Sequence, residues 1–132
     1  MRPFVTLEVV GRPATFATAH ESAWKAEIRA AVARSDIEPP SAPARFSIRI
    51  EFRTVTPNNP NEQWDIDNLV KPTLDALEGV IGAREWKGLP QPADDRVDHL
   101  EAWKRPESPG RPAGATIQVR LIDEGDLSGF DR

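Results

Sequence analysis

Asp65-Ile66-Asp67, with Lys71 one helical turn beyond, is the stretch of this chain whose residue types and spacing could do chemistry. Carboxylates set this close repel one another, and a hard divalent cation relieves the repulsion. Mg²⁺ takes oxygen ligands, keeps several waters and uses few protein carboxylates. A lysine beside it can steady phosphate charge. Asp75 lies one turn further along, and Asp94-Asp95 follows later in the chain. The set reads as a metal site for phosphoryl-transfer chemistry. Mg²⁺ is the expected ion, with Mn²⁺ able to replace it.

Each group also has a plainer reading. Aspartate near a helix N-terminus accepts backbone N–H bonds and suits the helix dipole. That accounts for one of Asp65 and Asp67, not for both, nor for Asp94-Asp95. Lys71 stands four residues after Asp67, the spacing of an ordinary intrahelical ion pair, and Asp75 would extend the same charged stripe. Asp94-Asp95 could be an exposed turn. Arg45, Arg49 and Arg53 share one strand face, which could track a DNA phosphate backbone or simply face solvent. Trp86 stands near Arg84 and Lys87 in sequence. An aromatic between two cations can stack on or wedge into nucleic acid; it can equally anchor its own loop. His20 and His99 have no partner at a ligand spacing.

The elements that must position these residues follow from periodicity. Val5, Leu7 and Val9 alternate with Thr6 and Glu8, which predicts a strand over 3–10, ended by Gly11-Arg12-Pro13. Trp24, Ile28, Ala31 and Val32 mark one face of a helix over 20–34. Pro39, Pro40 and Pro43 make a stiff loop. Phe46, Ile48, Ile50 and Phe52 then face one way, and Arg45, Ser47, Arg49, Glu51 and Arg53 the other. A polar loop over 57–61 leads to Trp64 and Asp65. Ile66, Leu69, Val70, Thr73, Leu74, Leu77, Val80 and Ile81 keep helical spacing up to Gly82, with Pro72 tolerable only near the helix start. Residues 83–93 read as a loop. Strands over 97–104 and 115–122 close a single domain over 1–122, and 123–132 reads as a flexible tail. The order β-α-β-α-β-β predicts an α/β (α+β) fold, a mixed sheet with two helices on one face.

The 132 residues suit one domain, and 39% hydrophobic with 29% charged residues suits a soluble globular protein. The absence of cysteine excludes disulfides and thiolate metal sites. No apolar run approaches the roughly 20 residues of a membrane helix, and residues 1–10 lack a signal-peptide core. A cytoplasmic protein without membrane partners is expected. The net charge of −4 is unusual for a nucleic-acid binder, whose affinity rests on neutralising phosphates.

Residues 65–77, Asp-Ile-Asp-Asn-Leu-Val-Lys-Pro-Thr-Leu-Asp-Ala-Leu, resemble the signature of the RusA-type Holliday junction resolvases. That signature runs Asp-x-Asp-Asn-Leu, Lys, Asp-Ala-Leu, and later an Asp-Asp pair leading into a strand that ends in Lys. Asp94-Asp95, Val97 and Lys104 follow in the same order. The resemblance implies a small dimeric, Mg²⁺-dependent endonuclease that cuts four-way DNA junctions symmetrically. It implies Asp65, Asp67 and one of Asp94 and Asp95 as metal ligands, Lys71 as the essential lysine, and Asp75 in support. Aligned on Asp-Asp, Asp95 takes the ligand place; aligned on Val97 and Lys104, Asp94 does. The expected activity is junction resolution by a homodimer through paired nicks. The alternatives are a DNA-binding or regulatory protein on the same fold with little cleavage, and a nuclease for other branched DNA.

Overall fold

Phe46, Ile48, Ile50 and Phe52 are all fully buried, and their strand, β2 (Phe46–Thr54), is the spine of the fold. The computed structural model describes residues 1–41, 44–58 and 64–123. In it β2 lies between β6 (Gly114–Leu121) and β5 (Val97–Pro106), and β1 (Arg2–Val10) pairs with the far side of β6. The β1–β6 and β6–β2 pairs are antiparallel and β2–β5 is parallel, so the sheet is mixed. Parallel neighbours need a crossover connection. The crossover from β2 to β5 carries all the candidate aspartates, Lys71 and the Arg84-Trp86-Lys87 group, but not Arg45, Arg49 and Arg53.

Three helices cover one face. They are α1 (Glu21–Ser35), α2 (Ile66–Asp75) and α3 (Glu78–Ile81). Trp24 and Ile28 of α1, Leu69 of α2 and Val80 and Ile81 of α3 meet Leu7, Val9, Ile117 and Val119 of the sheet in one core. At about 25 cal/mol per Å² of apolar surface removed from water, this contact holds the helices on the sheet. None of the helices is long and apolar enough to cross a membrane.

Two expectations change. The helix expected to run to Gly82 breaks at Ala76 and Leu77, whose N–H groups donate to the carbonyls three residues back, Thr73 and Leu74. That tighter closure ends α2, and α3 restarts at Glu78. Val80 and Ile81 still point inward, which is why the two helices read as one. Among the described residues there are therefore three α-helices rather than two. The expected loop over 83–93 contains a hairpin, β3 (Ala83–Trp86) with β4 (Leu89–Pro92). Lys87 (φ 51°) and Gly88 (φ 78°) supply the two positive φ angles of a tight hairpin turn. Pro90 and Pro92 disguise the second strand, because proline is tolerated only at sheet edges; a two-stranded ribbon is all edge. Pro43, the 59–61 part of the polar loop and the expected tail beyond Asp123 lie outside the described residues.

Two polar contacts seat α2. Pro72 has no N–H to offer the Asn68 carbonyl, and the Phe16 N–H donates to that carbonyl instead, at 2.9 Å. This docks the segment after β1 onto the helix. Deeper in, the Trp24 indole N–H donates to Thr73 Oγ1 at 3.0 Å, and the same hydroxyl donates to the Leu69 carbonyl at 2.8 Å. Both side chains are buried. Thr73→Val should leave the indole N–H unpaired and cost about 1–3 kcal/mol, read as a lower midpoint in denaturant or thermal unfolding. Adding Trp24→Phe should recover part of that loss, since removing both partners of a buried hydrogen bond costs less than removing one.

Candidate active site

Asp65 stands at the N-cap of α2 with extended backbone (φ −70°, ψ 127°), yet its side chain makes no capping hydrogen bond. Asp67 lies in the first turn. Both are exposed, and among the described residues neither carboxylate has a hydrogen bond or ion pair. Capping therefore uses neither of them. Trp64, which delivers the chain to Asp65, is tied down from three sides. Its carbonyl accepts from Lys104 Nζ of β5 at 2.6 Å, its indole N–H donates to the Val55 carbonyl at 3.1 Å, and the Arg12 guanidinium lies 5.4 Å from its ring centroid. Nothing in the spacing of residues singles out Arg12, and Lys104 stands out only as the last residue of a motif.

Lys71 Nζ lies 3.7 Å from Asp75 Oδ2 and 5.4 Å from the centroid of the Phe16 ring. Its ion-pair partner is thus Asp75 rather than Asp67. Asp75 Oδ2 also lies 4.0 Å from Lys25 Nζ of α1, so this carboxylate links two helices and tethers the lysine. Lys71 and Asp75 share one depression of about 170 Å³ with Arg84 and Trp86 of β3 and with Asp94. The fold thereby brings Asp94 to the lysine across more than twenty residues of chain.

Asp75 and Asp94 line this depression, and Asp65 and Asp67 are not among its lining residues. Among the described residues, no three Asp, Glu or His side chains are grouped so as to hold a metal ion. Asp94 and Asp95 are instead held by Arg84, at 3.4 and 3.6 Å. In kind the donor set still suits Mg²⁺: all are carboxylate oxygens, and one or two protein carboxylates with substrate phosphate oxygens are its usual complement. Asp65 and Asp67, unengaged among the described residues, offer carboxylates of that kind at the positive end of a helix.

The profile of the endodeoxyribonuclease RusA family matches residues 4–84, more than half of the 132. The chain belongs to the RusA endodeoxyribonuclease family. The matched segment runs from β1 through α3 and includes Asp65, Asp67, Lys71 and Asp75, while Asp94 and Asp95 lie beyond it. A search of curated proteins finds no match.

A RusA-family nuclease must also hold DNA, and here the arginines of β2 are already engaged. Arg53 is buried, donating to the Pro112 carbonyl at 2.9 Å and to Thr116 Oγ1 at 3.0 Å, with Glu51 at 3.4 Å and Glu8 at 3.6 Å. The turn between β5 and β6 folds over it, so Arg53 is a structural tie and not part of an exposed phosphate track. Arg45 grips Asp98 through two nitrogens and donates to the Asp95 carbonyl at 2.8 Å. That pairing raises the Arg45 pKa and lowers that of Asp98. Arg49 pairs with Glu101 at 2.8 Å. Arg49 and Arg53 point away from the helix-bearing face that carries Asp65. A second depression, of about 250 Å³, lies on that opposite face, but its central Glu51 carboxylate is held by Arg53, Arg105 and Arg111. Cations near the RusA-family motif include Lys71, Lys25 and Arg84, with Arg12 and Lys104 at Trp64.

Proposed function

We propose that this RusA-family protein is a Mg²⁺-dependent endonuclease that resolves four-way DNA junctions by paired symmetric nicks, working as a homodimer on cytoplasmic DNA. The observation that carries this reading is the family match across Asp65–Asp75, a segment in which the two leading carboxylates have no partner among the described residues. Asp65 and Asp67 would hold the ion, with Asp94 or Asp95 joining if Arg84 releases it. When bound, such an ion supplies Lewis-acid activation of water and neutralises phosphate charge.

The protein's own groups then orient the reaction. The ties on Trp64 fix the start of α2, and with it the direction of Asp65. Hydrolysis breaks one backbone P–O bond as water adds to phosphorus, and charge accumulates on the non-bridging oxygens. The Lys71 ammonium, tethered by Asp75 and exposed on its other side, can donate hydrogen bonds to those oxygens. Asp75 acts on Lys71 and has no need to touch DNA. A junction requires cuts in two strands related by a two-fold axis, and a symmetric dimer provides two sites through one interface.

The test is cleavage of junction, flap and plain duplex side by side in Mg²⁺, with sedimentation of the protein alone. Paired nicks at symmetric positions in the junction, and a dimer, are expected. One observation favours a second reading, a DNA-binding protein with little cleavage: Arg84 occupies Asp94 and Asp95. Junction binding without nicks in Mg²⁺ or Mn²⁺ would select it, and cleavage of flaps in preference to junctions would assign a different branched substrate.

A further inference from the structure

The β3–β4 hairpin leaves two large apolar side chains uncovered, Trp86 at 58% and Leu89 at 62% exposure. They face each other across the ribbon next to the turn. Side chains alternate along a strand, so Arg84, Trp86, Leu89 and Gln91 share one face. Three of these four line the depression that also contains Lys71 and Asp94. The aromatic face is therefore turned toward the catalytic motif rather than away from it. Two cations flank the indole: the Arg84 guanidinium and Lys87 Nζ each lie 5.9 Å from its ring centroid. The turn fixes this arrangement, because Lys87 is held at φ 51° where a non-glycine residue is disfavoured.

An exposed indole between cations, opening beside a phosphate-directed lysine, matches one chemistry well. A nucleobase offers a flat π-face for stacking, and its flanking phosphates offer negative charge. A base still paired in duplex DNA offers its edge and not its face. We infer that the hairpin is a specificity element: Trp86, backed by Leu89, stacks on an unpaired nucleobase next to the phosphate to be cut, while Lys87 and Arg84 meet the phosphates beside it. The inference rests on the nuclease reading for the identity of the DNA, and it names what the protein recognises there: a nucleobase freed from its pair, as occurs at branch points and bulges. It also gives Arg84 two partners. Engaging phosphate would draw it away from Asp94 and Asp95.

The experiment measures binding without divalent metal, so that cleavage plays no part. The probes are a plain DNA duplex and the same duplex with an unpaired thymine bulge. The intact protein should prefer the bulge. Trp86→Ala should weaken bulge binding about tenfold, in keeping with loss of one aromatic–base stack, and change duplex binding little. Trp86→Phe should restore most of the bulge preference, which a merely structural role would not require. Unfolding midpoints of both variants should match the parent, since the side chain is exposed. No bulge preference in the parent, or equal losses on the two DNAs, overturns the inference. So does conversion of a dimer to a monomer by Trp86→Ala in sedimentation, which would assign the patch to a second copy of the chain. Bulge preference retained by a protein that never nicks DNA would sink the nuclease reading and leave this one standing.

Discussion

Replacing Asp65 or Asp67 by Asn is expected to lower DNA cleavage by roughly a thousandfold while leaving the fold and DNA binding in place. The magnitude follows from what the carboxylates would hold. A catalytic divalent ion contributes several kcal/mol of transition-state charge stabilisation, and each ~1.4 kcal/mol is a factor of ten in rate. The preservation of the fold follows from geometry. Neither carboxylate is spent on a hydrogen bond or ion pair among the described residues, and Asn caps helices about as well as Asp, so α2 loses nothing. Binding should hold or tighten, because each change removes a negative charge facing phosphate. Cleavage at fixed Mg²⁺, filter binding without metal and thermal unfolding check the three parts separately. Full cleavage with weakened binding would contradict the assignment of these residues as ligands.

Much of this site was legible because its chemistry is local. Asp65, Asp67, Lys71 and Asp75 fall within eleven residues on one helix and its cap, and helical periodicity alone predicts that Asp67, Lys71 and Asp75 share a stripe. The spine strand was equally plain, since four apolar residues alternate without interruption and all are buried. What the sequence hid depends on contacts between distant segments. Periodicity places Arg53 on the polar side of β2; it cannot show that the β5–β6 turn closes over that position and buries the guanidinium. The Lys71–Asp67 spacing fits an ion pair as well as Lys71–Asp75 does; the fold pairs Lys71 with Asp75, beside Lys25 of α1 and Phe16 of the segment before it.

The hairpin shows a different limit. Its strands have four residues each, and prolines in the second erase the usual strand signal, although the Lys87-Gly88 turn supplies the tight connection. Reading 83–93 as a loop kept Arg84, Trp86 and Lys87 in view but detached them from the acids. The ribbon attaches them again, placing Arg84 on Asp94 and Asp95 and Trp86 beside Lys71. Composition was misleading for the same reason: a net charge of −4 describes the whole chain, whereas Lys25, Lys71 and Arg84 gather about the motif.

Lys71→Ala should reduce turnover by about 10²–10³, the usual cost of removing one well-placed donor to a developing oxyanion, with little change in the DNA dissociation constant. The competing account is that Lys71 only completes an ion pair with Asp75, and the two accounts separate on stability. The pair is 3.7 Å long and the lysine is 56% exposed, so its contribution to folding is at most about 1 kcal/mol, and the unfolding midpoint should barely move. A lysine kept for its pair would show the reverse, a lower midpoint and normal specific activity. Lys71→Arg sharpens the test. It keeps the charge, and so should keep any ion-pair stability, but a planar guanidinium cannot reproduce the compact ammonium at the same point, so turnover should stay well below the parent. Asp75→Asn should fall between parent and Lys71→Ala, because it removes the tether and leaves the ammonium. That ranking of rates, against nearly constant midpoints, is what a lysine acting on the transition state requires.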